Sequence, residues 1–194
     1  MKIRISCLLL GACLLTGCWQ KSINPFYERA DVVFDEHLVG SWRESTDSEP
    51  APDDKVPVWT FSPGGNMSYK LEIQDGEEAH SYAAHLFKLD GQQLLDIFPT
   101  DRAISTIPVH NLFKVVTTQP KIELAALNID WVQKWLRQNP ETLAHIAIPD
   151  AEHRHNREKD ELVLSADTKS LQKFLREHLK DDEIFGKTQV FKKN

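Results

Sequence analysis

Between Val56 and Leu127 turn-forming residues recur at short intervals, and this spacing constrains the fold more than any other feature of the chain. Val56–Ser62 is apolar and β-branched and runs into the turn Pro63-Gly64-Gly65-Asn66, whose glycines and asparagine tolerate positive φ. Met67 to Gln74 alternates apolar and polar without a break, the pattern of a strand with one buried face. Asp75-Gly76 and Asp90-Gly91 then read as hairpin turns on either side of Ala79–Leu89. Gln92–Phe98, Val109–Val116 and Lys121–Leu127 follow, the last two separated by Thr117-Thr118-Gln119-Pro120. Six strands at this spacing predict an antiparallel meander.

The C-terminal third changes period. Trp131 and Trp135 stand at i, i+4 on one helical face, with Asn128 or Asp130 as cap and Asn139-Pro140 as stop. That face packs on the sheet or, less commonly, offers aromatic anchors to a partner. Leu162–Leu164 reads as a short strand, Thr168–Lys180 as a second helix capped by Asp167 or Thr168, and Thr188–Phe191 as a closing strand. The fold class expected is therefore mainly β (α+β), a meander or barrel with two helices in the C-terminal third. Upstream, Phe34 to Trp42 contains Gly40-Ser41-Trp42 after a short stretch suited to a helical turn. This resembles the Gly-x-Trp lead-in of lipocalin-like (calycin) barrels, which implies that Trp42 plugs one barrel end. The helix around Trp131 departs from a simple lipocalin and argues against a large ligand cavity. Another β-rich α+β domain is the alternative.

The first seventeen residues differ from the rest. Lys2 and Arg4 precede an uncharged apolar run from Ile5 to Leu15, the layout of a secretory signal and too short to span a bilayer. Leu15-Thr16-Gly17-Cys18 resembles the lipobox of bacterial lipoproteins. The resemblance implies cleavage between Gly17 and Cys18 and a diacylglyceryl group on the Cys18 sulfur. With Trp19 rather than Asp after the cysteine, it also implies the periplasmic face of the outer membrane. Two or more acyl chains anchor stably, where one is marginal. The domain organisation expected is a signal peptide over 1–17, a lipidated N-terminus and tether over 18–30, and one β-rich domain over 31–194.

Cysteine usage agrees with this. Cys7 and Cys13 lie in the segment to be removed and Cys18 would be lipidated, which leaves neither free thiol nor disulfide downstream. Without Lys2 and Arg4 the chain keeps 21 basic against 29 acidic side chains. Such a surface repels nucleic acid, so nucleic-acid binding is not expected.

Chemistry-bearing constellations are sparse. His153 and His155, flanked by Arg154 and Arg157 on a polar stretch, are two candidate ligands where a catalytic zinc needs three, and the arginines oppose a cation. His80 and His85 sit at odd spacing on one strand and point to opposite faces. Asp53 and Asp54 belong to the polar run from Glu44 to Lys55, which reads as a solvated loop. No Gly-x-Ser-x-Gly elbow occurs. These observations favour a non-enzymatic membrane-anchored protein, with no metal or other cofactor, that binds a small apolar ligand or an envelope protein. A metal-dependent envelope enzyme using His153 and His155, or a structural lipoprotein, is the alternative.

Overall fold

The computed structural model describes residues 19–45, 56–101, 108–149 and 160–194. Elements are numbered in chain order, beginning with the two-residue strand β1 (Lys21–Ser22). Eight antiparallel strands close into a barrel: β2 (Gly40–Glu44), β3 (Val58–Pro63), β4 (Tyr69–Asp75), β5 (Glu78–Leu89), β6 (Gln92–Pro99), β7 (His110–Thr117), β8 (Ile122–Ala126) and β11 (Gln189–Lys193). The pairing of β11 with β2, in register Lys193 to Trp42, shuts the ring. Helices α1 (Ile129–Gln138) and α2 (Thr168–His178) pack outside it. The expected mainly β fold with two helices is what forms, as a closed barrel consistent with the lipocalin-like lead-in.

Local chemistry explains the turns. Asp90 and Gly91 both take positive φ, the geometry of a two-residue type I′ hairpin, whereas at Asp75-Gly76 only Gly76 does. In the glycine-rich turn after β3 the positive φ falls on Asn66 and Met67 instead. Gly64 serves close approach there, since a Cβ would lie 2.5 Å from the Ser68 hydroxyl.

The barrel interior is filled by its own side chains. Trp42, Trp59, Phe61, Tyr69, Phe113 and Phe191 point inward and are almost wholly buried, with Leu71, Ile73, Leu86, Leu95 and Ile97 between them. Trp59 is the hub, its ring 5.1 Å from Phe191 and 5.8 Å from Phe113. At one end the 3-10 turn Glu36–Leu38 leads into β2, and the Trp42 indole donates to the Leu38 carbonyl at 2.8 Å. The Tyr69 hydroxyl there accepts from the Asp35 N–H and donates to its carbonyl. At the other end Trp19 packs edge-on against Phe113 and Trp59.

The segment expected as a tether, residues 19–30, belongs to the body of the fold. Gln20, Ser22 and Phe26 are buried, and Lys21–Ser22 pairs with Asn111 and His110 of β7. From Trp19 the chain straps the outside of the barrel, passing β6 and β5 before it reaches the other end. Its short polar side chains hid this role, because they bond backbone rather than form a hydrophobic period: Asn24 donates to the Ser165 and Ala166 carbonyls. The strand β1 also carries a flange, pairing in parallel with β10 (Glu161–Leu164), which pairs in turn with the edge strand β9 (His145–Ile148). Neither β1 nor β9 was anticipated.

A second apolar layer lies between barrel and helices. Phe87, Leu89, Leu94 and Leu112 on the outer barrel face meet Val132, Leu136, Leu171, Phe174 and Leu175. Trp131 and Trp135 pack here against Phe174, so their stripe is an internal contact. His80 and His85 do take opposite faces: Tyr82, Ala84 and Leu86 line the interior, which sends His85 outward.

Candidate functional site

The most unusual chemistry among the described residues sits where the strap crosses β5, β6 and β7. Alternation along β6 turns Leu95 and Ile97 inward and Leu94 and Asp96 outward, beneath the strap. Asp96 is fully buried. One carboxylate oxygen accepts the Phe26 N–H at 2.9 Å, and the other lies 2.7 Å from Nδ1 of His110. A buried carboxylate needs such partners, because its desolvation cost is otherwise several kcal/mol, on the order of 3–5 when one partner is removed. The His110 ring in turn lies 4.6 Å from Phe98.

His85 is the cross-strand neighbour of Asp96. Its ring stacks on Tyr27 at 4.4 Å, and its Nδ1 is buried with no hydrogen-bond partner among the described residues. Burial holds the His85 imidazole below its ordinary value, and nearby His110 adds to this while the Asp96 carboxylate opposes it. Burial likewise pushes the Tyr27 phenol up, with the Asp96 charge acting the same way and Arg29 against it. From the other side α2 holds the strap: Gln172 donates to the Phe26 carbonyl and to Asp31, and Thr168 donates to the Pro25 carbonyl.

A cleft of about 420 Å³ opens over this network, lined by Tyr27, Arg29, Val32, Asn66, Met67 and His85. It offers a guanidinium, a phenol and an imidazole beside the apolar Val32 and the half-exposed Met67. That combination suits a small amphipathic molecule with an anionic or hydrogen-bonding head. The Asp96–His110 pair resembles the orienting half of a nucleophilic triad, but no Ser or Cys hydroxyl or thiol is bonded to it among the described residues. A second cleft of about 580 Å³ lies on the outer face of β3 to β5, lined by Thr60, Ser62, Lys70, Glu72, Ser81 and Thr100 among others.

Of the residues singled out from sequence, Gly17, Cys18, Asp53, Asp54, His153 and His155 lie outside the described residues. Among the described residues no group of three or more His, Cys, Asp or Glu is placed to hold a metal ion. Sequence reasoning passed over Asp96 and His110. The available signal was a lone carboxylate inside the apolar run Leu94-Leu95-Asp96-Ile97-Phe98, which must be paired if that strand is buried on both faces.

Comparison with protein-family models, with curated proteins and with solved structures gave no match to this chain.

Proposed function

We propose that this is a lipid-anchored protein of the bacterial envelope, acylated at Cys18 and acting by binding rather than catalysis, with its ligand site outside the barrel. The carrying observation is the filled interior: six large aromatic side chains occupy the space in which a lipocalin-like barrel would hold an apolar ligand. The small-ligand reading therefore moves to the cleft of Tyr27, Arg29 and His85, where an amphipathic molecule would set its charged head on Arg29 and its apolar part against Val32 and Met67.

The test uses 1-anilinonaphthalene-8-sulfonate, an anionic amphipathic fluorophore, titrated into the full chain in detergent. Saturable binding that weakens at least tenfold in Arg29→Ala and in His85→Ala supports the cleft. Affinity unchanged in both variants overturns it. The anchor is tested separately: Cys18→Ser should abolish lipid labelling and leave an uncleaved precursor, whereas normal processing would mean an ordinary signal peptidase site.

A second reading, recognition of an envelope protein, is favoured by Phe34 and Met67. Both are exposed near Tyr69; Phe34 stacks on its ring at 4.7 Å and Met67 precedes it by two residues. A photo-crosslinker at Met67 that captures one defined envelope protein, and loses it when Phe34 is changed to Ala, would favour this reading.

A further inference from the structure

The flange of β1, β10 and β9 has two unlike faces. Leu162 and Leu164 point into the layer beneath the helices. The register Lys21 to Asn111 makes the opposite face continuous with the inner face of β7 at the barrel end closed by Trp19. On that opposite face Val163 pairs with Ile146 and Glu161 with Ile148. Ile146 and Ile148 are 47% and 43% exposed, and Ile23, in the bend just after β1, is 40% exposed. The only charges that β1, β9 and β10 place there, Lys21 and Glu161, neutralise each other at 2.8 Å. Among the described residues β9 is also an edge strand, and its own four residues carry neither Lys, Arg, Asp, Glu nor proline.

The position of Cys18 says what covers this face. Trp19 packs against Phe113 and Trp59, and Cys18 is its covalent neighbour, one peptide away. Three extended residues reach at most about 10–11 Å, so the backbone point from which the thioether-linked acyl group hangs is within that distance of the Lys21 Cα. So short a leash keeps the flange close to the surface in which those chains are buried.

We propose that the ledge of Ile23, Ile146 and Ile148 lies on the lipid surface beside the acylated cysteine and fixes the orientation of the domain on the bilayer. This rests on the reading that Cys18 is acylated. The acyl chains supply attachment, and the ledge converts a flexible point attachment into a two-point contact. The strap places the Tyr27–Arg29–His85 cleft on the outer barrel wall, away from that contact.

The experiment uses the full lipoprotein purified from membranes, with its mass recorded to establish acylation. A cysteine introduced as Ile148→Cys, with Ile146→Cys as a second position, carries an environment-sensitive fluorophore; Glu36→Cys, at the opposite barrel end, is the control. In vesicles of phosphatidylethanolamine and phosphatidylglycerol containing spin-labelled lipid, the ledge probes should be quenched at least threefold more than the control. Equal quenching with the acyl mass present overturns the ledge and leaves the anchor standing. An unacylated mass removes both. Ledge probes shielded in native membranes but unquenched in pure lipid would indicate a protein partner. Shielding that grows with protein concentration in detergent would indicate a second copy. Either result overturns lipid docking.

Discussion

The barrel interior and the layer beneath the helices are both well buried, yet they are built differently. The interior is aromatic, ringed by strands that are hydrogen-bonded on both sides, and its bonded polar groups sit at the ends, around Tyr69, Asp35 and Leu38. The outer layer is mostly aliphatic and is stitched through its middle by polar groups: Asp96, Gln172, Ser22 and Gln20 are all buried there or beside it. One core holds shape by packing and closure. The other is a surface onto which separate pieces, the strap and two helices, are fastened by specific hydrogen bonds. Fastened pieces can open locally at less cost than a closed ring. The side of the molecule that carries the Tyr27–Arg29–His85 cleft is thus the more adjustable one.

Substitutions can break that contrast. Trp59→Ala removes the hub of the barrel rings and should cost about 3–5 kcal/mol in denaturant unfolding, lowering amide protection in barrel and helices together. Leu175→Ala, fully buried in the outer layer, should cost about 2–4 kcal/mol. Its loss of hydrogen-exchange protection should be confined to α1, α2 and the strap. If both variants lower protection uniformly, the two cores form one cooperative unit and the contrast fails. Asn128→Ala deletes the side-chain cap that accepts from Asp130 and Trp131 and should cost about 1 kcal/mol, again read mainly in α1.

The smallest effect is one of pH. His85 is held below its ordinary value of 6.5, so on acidification the unfolded chain takes up the proton before the folded one. Its contribution is intact above the unfolded value and is lost as pH falls below it. His85→Gln should flatten stability between about pH 7 and pH 5, measured as the denaturation midpoint against pH. An identical slope in the variant would assign the pH dependence to other groups.

Much of the fold was legible because the interior imposes simple patterns. β4 alternates cleanly, since Tyr69, Leu71 and Ile73 face the rings while Lys70 and Glu72 face water. The hairpins announced themselves through Asp-Gly pairs, and the helix stripes at Trp131–Leu136 and Leu171–Leu175 gave their period directly. β5 and β6 are buried on both faces over much of their length, so Leu94-Leu95-Asp96-Ile97 lost its alternation and Asp96 passed unnoticed. The strap and β1 were opaque for another reason. Their order comes from partners about 140 residues away, Leu162, Ser165 and Gln172 among them, and no local period encodes such contacts. The candidate site is non-local too: Tyr27 and Arg29 reach Asn66, Met67 and His85 only because the strap crosses the barrel wall, which no spacing encodes.

The pairing of Trp42 with Lys193 joins the first barrel strand to the last. A chain that emerges N-terminus first therefore exposes β2 and the inner faces of seven strands before the eighth arrives. During that interval β3 to β6 can form hairpin by hairpin from local contacts, but the ring has no closing partner. The waiting time is set by the passage of two helices and their connections, from residue 127 to 188. Long-range closure of this kind is slow and leaves an unpaired edge open to wrong partners. Until β11 arrives, the edges of β2 and β8 are the two that the closed ring will later cover.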